Sequence, residues 1–417
     1  MTTTTDTDLP AFAGGKPAKT KPFTKQKRYG DEELQQLKEA LDQGTLFYAQ
    51  GKKVKTLEEQ FAKHHGAKHA IACSSGTAAI HSAMMAAGIS PGDEVIVPPI
   101  TDMGSIVPVM FQGAIPVFCD LDPKSYLMTA QTIEKCLTPK TRAVLAVHLW
   151  GNACDLGAIK KLCDDRKLTL IEDCAQAFGC RYDGKCVGNF GAMGCYSYNE
   201  FKHISSGDGG MIITNDDALA KKLRLATDKC YDRSPSAKMR QATFLAANYR
   251  MTELQGAVGI AQLAKLDSIV ERRQKWCAKL TDQLKGLPGI SLPKVTDNCD
   301  PSWWFYMVRV EPDVLGASAD EFAKAMHAEG VPLGAHYIGE PIYAYPLFQN
   351  HSAFDHADHP FNARPYKKGD CPESEKILQT CVMLGINEGY TDEDLDDVVR
   401  AFHKVVPYLH QKRGLKG

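Results

Sequence analysis

Residues Cys195 to Gly210 read CYSYNEFKHISSGDGG. A single lysine, Lys202, stands midway between Ser197 and Gly207 in this stretch. An apolar run, Met211-Ile212-Ile213, follows and predicts a strand, and the glycines ahead of it let backbone approach a ligand closely. A lone loop lysine is ordinarily a solvated surface charge. One framed by small, hydroxyl-bearing and glycine residues can be buried against a ligand instead. A buried ammonium loses its proton readily and becomes a nucleophile able to form a Schiff base.

Working outward, HAIACSSGTAAIHSAMMAAGI predicts a short strand, Ala70 to Cys73. Ser74-Ser75-Gly76-Thr77 then opens a helix at Ala78. Free N–H groups at such a helix start form an anion site, although an ordinary Ser/Thr cap gives the same pattern. Continuous apolar runs at Glu94–Val97 and from Ala114, Ala143 and Leu168 predict a mostly parallel sheet covered by helices on both faces. Ligands of such sheets sit at the carboxyl ends of the strands, and Asp102, His148, Asp173 and Gln176 fall just past such ends.

Residues 1 to 28 are polar and aperiodic and read as a flexible arm. DEELQQLKEALDQG, from Asp31, predicts a helix closing on Gly44. Sustained helical periodicity without proline near 250–285 predicts one long linking helix. The expected division is a large domain over 29–265 and a smaller C-terminal α+β domain over 266–417. The chain has 417 residues, 44% of them hydrophobic, enough for two domains and a large core. A net charge of -1 and the lack of long basic runs argue against nucleic acid or an anionic membrane as partner. No apolar segment approaches the roughly 20 residues that span a bilayer. The start, MTTTTDTDLP, lacks the pattern of a secretory signal. The 14 cysteines are scattered without a C-x-x-C pair, which fits reduced thiols in a cytoplasmic protein and no metal site.

Four segments, Ser74–Ala78, Glu172–Ala177, Ser197–Gly210 and Asn248–Gln255, together resemble the DegT/DnrJ/EryC1/StrS aminotransferases. These are fold type I pyridoxal-phosphate (PLP) enzymes that aminate keto-sugars and keto-cyclitols. The resemblance runs from about Phe23 to Leu409. It implies that Lys202 carries the cofactor and serves as general base and acid. It sets Asp173 against the ring nitrogen and Gln176 near the ring hydroxyl, and gives Gly76, Thr77 and Ser197 to the phosphate. Asn248, in NYRMTELQ, would reach the phosphate of a neighbouring subunit, making a homodimer with shared active sites. The donor would be L-glutamate or L-glutamine, and the reaction ping-pong.

Many family members carry an aromatic residue after V-P-x-x-T that stacks on the ring. Here the order is Val97-Pro98-Pro99-Ile100-Thr101-Asp102, and an aspartate cannot stack in that way. Either Met103 or another residue covers the ring, or Asp102 touches substrate. His336 and Tyr337, in GAHYIGEPIYAYPLF, are the other substrate candidates. A PLP-dependent dehydratase is the nearest alternative, and a non-catalytic PLP-binding regulator a more distant one. The family's sugar 3-dehydratases replace the lysine, typically by histidine. Lys202 argues against those, although His203 stands beside it; dehydratases of the aminohydroxybenzoate-forming type keep the lysine, and Lys202 does not argue against them.

Overall fold

The computed structural model describes all residues except 1–8, 235–236, 238–240 and 414–417. Its main sheet has seven strands in the order His69–Cys73, Gly210–Thr214, Met193–Ser197, Thr169–Asp173, Thr141–Val147, Glu94–Val97, Ile115–Phe118. From Met193–Ser197 to Ile115–Phe118 every neighbour is parallel. Only Gly210–Thr214 runs antiparallel, to both of its neighbours.

The continuous apolar runs are explained by burial on both faces. Successive side chains of Glu94–Val97 enter opposite cores: Val95 and Val97 pack with Ile106 and Leu145 on one side, and Ile96 with Phe61 and Leu170 on the other. The chain is therefore α/β with a mostly parallel sheet between helix layers. A second, antiparallel sheet orders Ile290–Ser291, Phe305–Val310, Cys381–Gly385 and Gly334–Ala335. The helices Ala319–Ala328 and Asp392–Arg413 accompany it.

Two expectations need correction. The helix expected near 250–285 is two helices, Glu253–Leu263 and Leu266–Leu284. The first is pressed flush on the helix Lys53–His65: a Cβ at Gly256 would meet Val54 N at 2.8 Å, and one at Gly259 would meet Leu57 Cδ2 at 2.7 Å. At the turn between the two, Lys265 Nζ pairs with Glu33 at 2.6 Å. The second helix packs instead on Asp392–Arg413. Each packing surface fixes its own helix direction, and no proline or glycine at the junction signals the break.

The segment read as the end of a flexible arm is anchored from Leu9 to Arg28. The backbone N–H groups of Ala11 and Ala18 donate to the Glu329 carboxylate at 2.6 and 2.7 Å. Lys19 is buried, with its ammonium 2.5 Å from Asp394 and 3.3 Å from Asp397. Attachment through buried polar groups leaves no apolar period to detect in the sequence. The first eight residues of the expected arm lie outside the described residues. Among the described residues no helix is long and apolar enough to cross a membrane. All 14 cysteines are free thiols, Cys136 and Cys299 being the two that are not fully buried.

Candidate active site

A cavity of about 310 Å³ opens at the carboxyl ends of the central strands. Gly76, Thr77, Asp102, Asp173, Gln176, Ser197 and Lys202 all line it. The sheet order brings them together. Gly210 pairs with both Cys73 and Ser197, so the start of the helix Gly76–Ala86 and the end of Met193–Ser197 meet across one residue. A Cβ at Gly210 would lie 2.2 Å from Ser75 O, and one at Gly76 would lie 2.6 Å from Ser197 Cβ, so both close approaches require glycine. Ser75 caps the helix, its hydroxyl accepting from Ala78 N at 3.0 Å and its carbonyl from Ala79 N at 3.0 Å. The N–H groups of Gly76 and Thr77 are left at the positive end of the helix, beside the Ser197 hydroxyl.

Asp173 ends its strand nearly buried. Its Oδ2 accepts from Ser105 Oγ at 2.7 Å, and its Oδ1 from Ala175 N at 3.0 Å. Ser105 is held in turn by Thr101 Oγ at 2.8 Å. Burial raises the Asp173 pKa, while Ser105, the Ala175 N–H and then the charge of Lys202 oppose that rise. A buried carboxylate in this position is stabilised by a cationic N–H group brought into the cavity.

Gln176 is oriented without ambiguity. The backbone N–H of Trp150 donates to its Oε1 at 3.0 Å, and its Nε2 donates to Tyr337 Oη at 3.3 Å. Lys202 is 8% exposed, and burial lowers its pKa against the pull of Asp173 and Asp102. Its Nζ lies 4.1 Å from the centroid of the Trp304 ring.

Asp102 caps the helix Met103–Phe111, its Oδ1 accepting from Gly104 N at 2.7 Å, while still facing the cavity. Tyr337 reaches the site through Gln176. His336, expected beside it, does not: its Nδ1 donates to Leu378 O at 2.8 Å and its Nε2 pairs with Asp320 at 3.0 Å. His336 and Tyr337 have φ of 65° and 43°, and this left-handed pair sends the two side chains to different neighbours. Asn248 is exposed, lies outside this chain's own cavity, and bridges to Asp228 through its backbone. His203 is fully buried, with its Nε2 donating to Ser302 O at 3.0 Å, and does not line the cavity.

An amine, a buried carboxylate and an anion-binding helix start in one cavity form the donor set that PLP requires. The model of the DegT/DnrJ/EryC1/StrS aminotransferase family matches residues 27–403. The chain belongs to that family. GDP-perosamine synthase of Caulobacter vibrioides is 35% identical over 361 residues, covering 85% of this chain and 91% of the relative. The X-ray structure of the aminotransferase from Psychrobacter cryohalolentis superposes with a TM-score of 0.83 at 28% identity, covering 93% of this chain and all of that one. The crystal structure of 3-amino-5-hydroxybenzoic acid (AHBA) synthase gives 0.82 at 27%, covering 94% and all of that chain. Membership makes the protein a PLP-dependent transaminase of fold type I.

In this member of the DegT/DnrJ/EryC1/StrS family, sequence reasoning missed Thr101 and Ser105 behind Asp173. It also missed Trp304 beneath Lys202. Neither a serine in an apolar helix nor a tryptophan at a strand entrance carries a local mark of its role.

Proposed function

We propose that the protein moves an amino group from L-glutamate or L-glutamine to a keto-sugar or keto-cyclitol. It would work in the cytoplasm as a homodimer, each cavity completed by Asn248 of the other subunit. The large and small domains would be 29–265 and 266–417. The observation that carries the reading is the burial of Lys202 and Asp173 in one cavity, opposite the Gly76–Thr77 helix start. The likeness to GDP-perosamine synthase supports a sugar as acceptor.

PLP supplies the electron sink for α-proton removal. Gly76 and Thr77 through their N–H groups, and Ser197 through its hydroxyl, would hold the phosphate. Asp173 would keep the ring nitrogen protonated, and Gln176, fixed by Trp150 and Tyr337, would face the ring hydroxyl. With PLP bound, Lys202 Nζ would stand where it could hold and move the proton of the donor's α-carbon as general base and acid. Burial lowers its pKa, so the neutral amine needed for the first transfer is reached at a lower pH than for a solvated lysine. His203 is buried against Ser302 and does not line the cavity, so it gives no support to the dehydratase reading in which histidine replaces the lysine.

Two measurements test this. Glutamate or glutamine added to the PLP-loaded protein should convert the cofactor's visible absorbance to that of the pyridoxamine form. Borohydride reduction and peptide mapping should place the cofactor on Lys202. No conversion with either donor would overturn the aminotransferase reading, and a cofactor on another lysine would overturn the site.

A further inference from the structure

The turn that carries Lys202 has no ladder partner, yet three of its consecutive carbonyls are held from outside. Arg28 donates through Nη1 to Glu200 O and through Nη2 to Lys202 O, the latter at 2.8 Å. Trp304 Nε1 donates to the carbonyl between them, Phe201 O, at 2.7 Å. The ring of that same indole lies under the Lys202 ammonium, 4.1 Å from centroid to Nζ. Tyr29, next to Arg28, bonds the Glu200 carboxylate through its hydroxyl. Arg28 is fixed in its turn, because its carbonyl accepts from Gln262 Nε2 at 2.9 Å and lies 3.5 Å from Lys265 Nζ.

The two clamps come from opposite parts of the chain. Arg28 ends the anchored N-terminal segment, and Trp304 stands just before the strand Phe305–Val310 of the small sheet. A guanidinium is a rigid fork, so two of its N–H groups can fix the spacing of two carbonyls, which a point-charge ammonium does not do. The indole acts at both ends of Lys202: its N–H holds the backbone, and its face attracts the side-chain cation. An unladdered turn without these bonds can swing, and a shift of about 1 Å in a reacting group can cost on the order of a hundredfold in rate.

We propose that Arg28 and Trp304 are positioning residues that aim the Lys202 amine, making the N-terminal segment and the small sheet part of the catalytic apparatus. The inference rests on the reading of Lys202 as the cofactor-bearing lysine. It assigns Arg28 and Trp304 no contact with substrate. Their effect reaches the reaction through the Glu200–Lys202 backbone and the seat of Nζ.

The test uses the full-length protein with Arg28→Ala, Arg28→Lys, Trp304→Leu and Trp304→Phe. In the PLP-loaded form, the single-turnover rate with glutamate, or with glutamine if that is the donor, is followed by absorbance. In the unloaded form, the pH profile of Lys202 acylation by an amine-selective reagent is read by peptide mass spectrometry. Arg28→Ala and Trp304→Leu should slow the single turnover about tenfold to a hundredfold and move the acylation midpoint. Arg28→Lys should not restore the rate, whereas millimolar guanidinium ion should partly rescue Arg28→Ala. If Arg28→Ala does not fold, Trp304→Phe carries the test, because it keeps an aromatic face, though a smaller one, and has no N–H to donate; it should still be slowed. Wild-type rates with an unmoved midpoint would overturn the inference. So would slowing explained wholly by loss of folded protein, with the midpoint unmoved in the folded fraction. Reduction that places the cofactor of the wild-type protein on another lysine strikes the underlying reading instead.

Discussion

Ser105→Ala removes one atom from behind Asp173, and its effect can be worked from the bonds that atom makes. The lost hydroxyl donates to Asp173 Oδ2 at 2.7 Å and meets Thr101 Oγ at 2.8 Å. A hydrogen bond to a charged group contributes about 1.5–3 kcal/mol. One pKa unit corresponds to about 1.4 kcal/mol, so the carboxyl should rise by about one to two units. Burial already raises it, and Ser105 leads the groups that oppose this. With Asp173 in its proposed place against the ring nitrogen, a raised carboxylate pKa means that its anion is lost at higher pH. The acid limb of the single-turnover rate should therefore move up by about the same one to two units, with recovery on the alkaline side. Stopped-flow absorbance over a pH series measures this, and Ser105→Thr, which keeps a hydroxyl, serves as control. A Ser105→Ala profile that overlays the wild type would refute the reasoning, because the bond would then contribute nothing to the ionisation of Asp173.

Three further outcomes are expected. Gly76→Ala places a methyl 2.6 Å from Ser197 Cβ, and overpacking costs about 1–3 kcal/mol. If that falls on the cofactor site, PLP affinity measured by spectroscopic titration should weaken roughly fivefold to 150-fold. Mixing a Lys202→Ala chain with an Asn248→Ala chain should restore partial activity if sites are shared, since one site of the mixed dimer carries neither defect; confirmed exchange without recovery returns Asn248 to its own subunit. His65, stacked on Phe61 and buried, is pushed down to about 3 from 6.5, so the unfolded chain binds its proton first. Its contribution to stability is present above pH 6.5 and is lost as pH falls toward 3, so His65→Phe should flatten the fall in urea midpoint between pH 7 and pH 5.

The sheet was legible because strands buried on both faces must be apolar throughout. The break between Glu253–Leu263 and Leu266–Leu284 was not, since each helix answers to a different neighbour and the junction holds no breaker residue. Lys202, Asp173 and Gln176 could be named from motifs because each sits in a local frame. Arg28 and Trp304 could not: they bond the lysine turn from 174 and 103 residues away. His336 looked like a site residue by its place next to Tyr337. Two left-handed residues in succession spend it on Asp320 and Leu378 instead.

The adjacent carboxylates Glu172 and Asp173 show why a motif needs a fold before it has a meaning. Strand alternation sends them to opposite faces of the sheet. Asp173 faces the cavity with capacity left for a ligand. Glu172 has none: it accepts from Gly188 N at 2.6 Å, Phe190 N at 2.8 Å, Gly191 N at 2.6 Å and His148 Nε2 at 3.1 Å. His148 is equally committed, because its Nδ1 accepts from Cys154 N at 3.2 Å. His148, Glu172 and Cys174 are close enough together to suggest a metal site. Yet the Glu172 and His148 atoms that would bind an ion already serve the backbone of the loop leading into Met193–Ser197 and the turn after Thr141–Val147. Glu172 thus helps set where the strand ending at Ser197 begins, while Asp173 faces the cavity that Ser197 and Lys202 also line. Of two neighbouring acids, one is committed to building the cavity wall and the other is left open to the cavity, and the parity of one strand decides which.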